Sequence, residues 1–344
     1  MRHSSLVIEV LRRRKRRLRR DGANHTKRGC KIAISLIEMG LGDRLILEAP
    51  VRLHRRNHPT DSLIAIVDSQ AEVDFPYSLR RHFDEIWWVS TSDGRKWLTG
   101  RRSAVARLVR DALTAAQVKK LYVPSWQPQQ FPRNRAYALY PYNCFGDLNY
   151  LRELRFWPKV VVPPPQRRWA KQFLRSLIPD SYEALISIHV RSIPCLPEKN
   201  LDARLIKAVV SYLRSQGRFA FVLVGRDDGA AGISGPDVFS IIGRKWSFEQ
   251  TAALIAQTSL FIGADSGPTH AAAGLGVPVI AFGCYGEKVR PFTNPNRYVY
   301  LQKGDGPEHI MAEVERFVRR FIPFFGREKE LWQSNDRGKH AVNF

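Results

Sequence analysis

Residues 260–282 read LFIGADSGPTHAAAGLGVPVIAF, and the fold turns on how they are interpreted. Leu260, Phe261 and Ile262 form an apolar run with no polar interruption, the pattern of a strand buried on both faces. The run ends at Gly263. Residues 264–268, Ala-Asp-Ser-Gly-Pro, then supply a carboxylate, a hydroxyl and a proline suited to starting a helix. Residues 269–273 are helix-compatible, and Gly274 or Gly276 stops the helix. Residues 277–282 form a second apolar strand. Strand, glycine loop, helix start and strand make a βαβ unit, whose loop falls at the carboxyl end of the sheet, where such folds bind ligands. Unpaired amides at the helix start favour phosphate there. On chemistry alone, the same residues also fit an ordinary turn with a capping Asp265 and a buried His270.

The 344 residues suffice for two domains with separate cores. A hydrophobic content of 44% and a charged content of 25% are globular values. No apolar run reaches the length of a membrane span. The N-terminal region has no apolar signal-peptide core, so a cytoplasmic location is expected. Cys30, Cys144, Cys195 and Cys284 are widely spaced, without the paired spacing of a zinc site or a disulfide framework. The net charge of +23 is concentrated in part at residues 11–20, LRRRKRRLRR. Such a block suits anionic lipid at the inner membrane face, at roughly 1 kcal/mol per basic residue. Nucleic acid ranks behind lipid, and a plain solubilising tail is the simplest reading.

Residues 1–29 read as a flexible basic leader outside the fold. A first strand is expected over residues 31–37, followed by a Gly40-Leu41-Gly42-Asp43 turn and a helix carrying Leu45, Ile46, Ala49 and Leu53 at helical spacing. Asp43 falls at that helix's N-terminus, where the dipole stabilises a carboxylate. Further strands are expected over residues 63–67, 85–89 and 121–123, and a helix within 101–119. Residues 124–149 read as a loop in which Tyr137, Tyr140 and Tyr142 could stack on sugars. The prolines at 163–165 mark a stiff linker. A helix then runs over 166–177, a strand over 185–190, a helix over 201–216 and strands over 219–224 and 238–242. Another helix opens at Ser247, and a closing helix spans 310–321. The resulting organisation is an N-terminal domain over 30–157, a C-terminal domain over 166–305, a closing helical segment over 306–325 and a polar tail over 326–344.

The order Asp265-Ser266-Gly267-Pro268-Thr269-His270, followed by alanines and Gly274-Leu275-Gly276-Val277-Pro278, resembles the signature of the ADP-heptose:lipopolysaccharide heptosyltransferases, glycosyltransferase family 9. That resemblance implies an α/β GT-B fold, with two Rossmann-like domains facing across a cleft. It also implies an inverting transferase without metal or other cofactor. The donor would be a nucleotide-diphosphate sugar, ADP-heptose by family default, and the acceptor a glycolipid or saccharide. By the same resemblance Asp43 is the general base. Arg191, Ser192 and Lys199 bind the donor diphosphate, whose charge grows as the glycosidic bond breaks. Asp227 or Asp228 holds the ribose. Asp265, Ser266, Gly267, Pro268, Thr269 and His270 complete the donor site. The sequence departs from the family pattern after Phe282-Gly283 and in the spacing of Lys199 to Leu201. A hydrolase or epimerase acting on a nucleotide sugar, or a non-catalytic basic binding protein, would use the same scaffold.

Overall fold

The computed structural model describes residues 8–12, 29–36, 39–68, 75–89, 114, 116–122, 148–190, 202–225, 232–244, 246–283, 293–302 and 305–325. The chain divides into two compact units, residues 1–161 and 162–344.

The first unit contains strands β1 (Ile8–Arg12), β2 (Lys31–Ser35), β3 (Ser62–Asp68), β4 (Glu85–Val89) and β5 (Lys120–Tyr122). Their sheet order is β1-β4-β3-β2-β5. All pairings are parallel except β1 with β4. Helices α1 (Leu41–Asn57), α2 (Tyr77–Arg80) and α3 (Leu148–Glu153) accompany the sheet. Alternate residues pack on opposite faces. Ile32, Ile34, Leu63, Ala65 and Trp88 join α1 in one cluster, and Ala33, Ile64, Ile66 and Trp87 form another. A sheet buried on both faces explains the continuous apolar runs in its sequence.

Strand β1 corrects one expectation. Residues 8–12 belong to the sheet rather than to a leader outside it, with Ile8 opposite Val89 and Arg12 opposite Glu85. The remainder of the 11–20 basic run lies outside the described residues. Without β1, β4 would present an open row of backbone donors and acceptors, which an added antiparallel strand satisfies.

The second unit contains β6 (Ala184–His189), β7 (Phe219–Leu223), β8 (Val238–Ser240), β9 (Leu260–Ala264), β10 (Val279–Gly283) and β11 (Tyr298–Gln302). The order is β11-β10-β9-β6-β7-β8, parallel throughout. Helices α4 (Pro164–Leu177), α5 (Ala203–Gln216), α6 (Phe248–Ile255), α7 (Gly267–Leu275) and α8 (Pro307–Phe321) connect or flank the strands. One core joins Ile186, Ile188, Phe221, Ile262 and Phe282 with Val209 and Leu213 of α5 and Val314 and Phe317 of α8.

This order is doubly wound. The chain builds β6, β7 and β8 outward in one direction, then returns to the other side of β6 for β9, β10 and β11. The reversal leaves a crevice at the carboxyl ends of β6 and β9, where ligands bind in open α/β sheets. In the first unit the corresponding reversal lies between β2 and β5.

Local chemistry sets several helix ends. Ser247 and Gln250 form a reciprocal capping box at the start of α6. Gly276 ends α7 with φ 80°, a left-handed conformation that costs glycine little. The expected 166–177 helix begins two residues earlier, at Pro164, because first-turn residues need no intrahelical N–H donor.

Candidate functional site

The site is built where β6 and β9 end side by side, with His189 of β6 registered against Gly263 of β9. Asp265 follows β9 and donates its backbone N–H to the Phe282 carbonyl of β10 at 2.9 Å. Ser266 is the N-cap residue of α7, in extended conformation. Thr269 sits in the first turn and is wholly buried.

A chain of hydrogen bonds links these residues, and its direction can be worked out. The Thr269 hydroxyl donates to the Ala264 carbonyl, which can only accept. Thr269 Oγ1 therefore accepts the Ser266 proton across 3.1 Å. Ser266 Oγ, its proton committed, accepts from Nδ1 of His189 across 3.0 Å. His189 is thus protonated on Nδ1. Burial pushes its imidazole down to about 4, so the ring is neutral near pH 7 and Nε2 carries a lone pair.

Gly225, which follows β7, leaves room for this ring. A Cβ there would lie 3.3 Å from Cδ2 and 3.6 Å from Nε2 of His189. Its φ of 144° also disfavours any side chain.

The consequence appears at the start of α7. A serine at an N-cap ordinarily turns its oxygen onto first-turn amides. Ser266 makes no such bond. The His270 amide reaches the Ser266 carbonyl at 3.1 Å, but the Gly267 and Thr269 amides have no carbonyl within the helix to accept them. Pro268 contributes no N–H and fixes the first turn. The helix start therefore presents oriented amides to an anion.

Two further groups border the loop. Asp265 Oδ1 lies 3.3 Å from His270 Nε2. The Tyr298 hydroxyl is buried without a hydrogen-bond partner among the described residues. Burial, with Asp265 and Tyr300 adding, raises the Tyr298 phenol well above its usual range.

In the first unit, Asp43 lies in the first turn of α1, just beyond the carboxyl end of β2. Gly40 is the N-cap, and a Cβ placed on it would lie 3.4 Å from Asp43 Oδ2. The carboxylate thus folds back over the turn, at the positive end of the helix dipole.

The structure brings Asp265, Ser266, Gly267, Pro268, Thr269 and His270 into one loop and helix start. It turns the Thr269 hydroxyl inward, onto the Ala264 carbonyl. Arg191, Ser192, Lys199, Asp227 and Asp228 lie outside the described residues, as do Tyr137, Tyr140 and Tyr142. Sequence reasoning placed His189 in a strand and gave it no role. The available signal was a lone imidazole at the end of a strand that is apolar except for Ser187. Among the described residues, no group of three or more His, Cys, Asp or Glu side chains could hold a metal ion.

Residues 231–310, which include the whole of this loop and α7, match the model of glycosyltransferase family 9 (heptosyltransferase). The chain carries a glycosyltransferase family 9 region. Its enzyme class is that of a glycosyltransferase. Solved structures show the fold. A family 9 glycosyl transferase from Veillonella parvula DSM 2008 is 17% identical, with 86% of this chain and 91% of that one covered at a TM-score of 0.59. An E. coli ADP-heptose lps heptosyltransferase II is 14% identical, with 84% and 99% covered at a TM-score of 0.58. These likenesses identify the two α/β units as a GT-B pair. No curated protein matches the chain.

Proposed function

We propose that the protein is an inverting, metal-independent glycosyltransferase that moves a sugar from a nucleotide-diphosphate donor to a glycoconjugate acceptor. Heptose from ADP-heptose is the family default, and lipopolysaccharide core the corresponding acceptor. One observation carries the reading: an α7 start without a side-chain cap, at the β6/β9 crevice, inside the segment that matches the family.

In this reading the donor diphosphate lies against the Gly267 and Thr269 amides. Arg191, Ser192 and Lys199 add charge and hydrogen bonds, and Asp227 accepts the ribose hydroxyls. Asp265, held beside His270, accepts from sugar hydroxyls. The acceptor oxygen attacks the anomeric carbon as the bond to the diphosphate breaks. The acceptor proton passes to Asp43, and the leaving diphosphate takes the bonding electron pair. Stabilising that growing charge with fixed donors lowers the barrier. Attack opposite the leaving group inverts the anomeric centre.

The acceptor's lipid and the basic run at 11–20 support a peripheral position on an anionic membrane surface. No described helix is long and apolar enough to cross a membrane.

The test is product analysis with nucleotide sugars and truncated core acceptors in the presence of EDTA. The expected product is an acceptor extended by one sugar of inverted configuration. Free sugar released equally with and without acceptor would replace the reading with that of a hydrolase. Asp43→Asn should lower turnover at least ~100-fold, the scale of a lost general base. Turnover near that of the wild type would remove Asp43 from the role.

A further inference from the structure

The Ser266 oxygen has two competing uses. It can cap the first turn of α7, the common use of an N-cap serine. It can instead join the chain from His189 to Ala264, as it does here. A capped helix start would offer an incoming phosphate fewer donors and would set a serine oxygen against phosphate oxygens.

We propose that His189 is a positioning residue that holds the Ser266 oxygen off the start of α7, leaving the Gly267 and Thr269 amides open for the donor diphosphate. The inference rests on the donor site proposed above. His189 suits the task because its position is over-determined. It is 6% exposed, anchored at the end of a central strand and covered on one side by Gly225. Its Nδ1–H has one partner, and that partner's own proton is already committed. A ring that cannot rotate holds the serine rotamer. The Tyr298 hydroxyl, buried without a partner among the described residues, is a second unsatisfied group beside the same loop.

His189 itself does not need to touch the donor. Its substitution should therefore act on diphosphate affinity and leave affinity for the nucleoside alone unchanged. Asn at 189 can place an amide N–H near the Nδ1 position, whereas Leu cannot.

The experiment is calorimetric titration of the wild type and the variants with ADP, UDP and GDP, and with the corresponding nucleosides. His189→Leu should weaken binding of the preferred diphosphate about tenfold, the scale of one lost hydrogen bond to a charged group. His189→Asn should restore affinity to within about threefold. In a Ser266→Ala background, where no oxygen can swing onto the amides, His189→Leu should have no further effect, since its action runs through Ser266. If His189→Leu does not fold, His189→Gln takes its place, because its amide reaches the Nε2 side.

Unchanged diphosphate affinity in His189→Leu, equal losses in the Leu and Asn variants, or an undiminished effect in the Ser266→Ala background would each overturn the inference while the donor site stands. A folded wild type that binds none of the three diphosphates would overturn the donor site, and the inference with it.

Discussion

Each unit of the molecule carries a polar network, and the two are built on opposite principles. The first is ionic. Glu48 of α1 is fully buried, and its Oε1 meets Arg52 Nε at 2.9 Å and His82 Nε2 at 3.1 Å. Its Oε2 accepts the Lys159 amide at 2.8 Å. Arg52 reaches on to the Trp157 carbonyl at 2.6 Å and lies 3.9 Å over the Phe156 ring. This network ties residues 156–159 to the helix that begins with Asp43. The second network, from His189 to the Ala264 carbonyl, is neutral and ends beside open amides. A charged network satisfies itself, so its worth is structural. A neutral network that withholds a cap leaves helix donors open, which is what the proposed donor site requires.

Variants can break this contrast. Glu48→Ala has the largest expected effect on stability. It leaves Arg52 without its buried carboxylate and the Lys159 amide without an acceptor, at a cost of about 3–5 kcal/mol in chemical denaturation. A loss below about 1 kcal/mol would mean that the network is ornamental.

The next effect depends on pH. The His189 imidazole falls from 6.5 in the unfolded chain to about 4 in the native protein. Between those values the unfolded chain binds a proton that the native state does not. Stability is therefore fully present above pH 6.5 and falls as pH drops toward 4, by roughly 3 kcal/mol in all. His54, lowered chiefly by burial, acts in the same direction. His189→Asn should flatten the melting-temperature profile between pH 6.5 and 5, above the range where most carboxylates titrate. An unchanged slope would contradict the neutral, buried ring.

Thr269→Val has the smallest of the three effects, about 1–3 kcal/mol, because it strands the Ala264 carbonyl and the Ser266 proton. It should also weaken diphosphate binding, whereas Glu48→Ala in its folded fraction should not. Equal effects of both variants on binding would erase the distinction between the two networks.

The parts that could be read in the sequence are those that depend on local pattern. β9, α7 and β10 follow from apolar runs around a glycine-rich turn. Asp43 follows from a Gly-x-Gly turn at the end of β2, and the helix it opens runs on through Pro50. That helix continues because Leu45, Leu47, Ala49, Val51 and Leu53 are buried around the proline. Other features depend on partners far away in the chain. β1 exists because β4 offers an open edge, which the basic composition at 11–20 conceals. His189 acquires its role from Ser266, 77 positions later. Glu48 acquires its own from Lys159, 111 positions later. No window of periodicity reveals such pairs.

The proposed donor site holds the diphosphate of an activated sugar on the amides at the start of α7, without a divalent ion. A thermal-shift panel of nucleosides, nucleoside diphosphates and nucleotide sugars in excess EDTA tests it most directly, because a ligand that binds the native state raises its melting point. A saturable rise is expected with one diphosphate and its sugar conjugate, and little with the matching nucleoside. No rise with any diphosphate until Mg²⁺ or Mn²⁺ is added would contradict it.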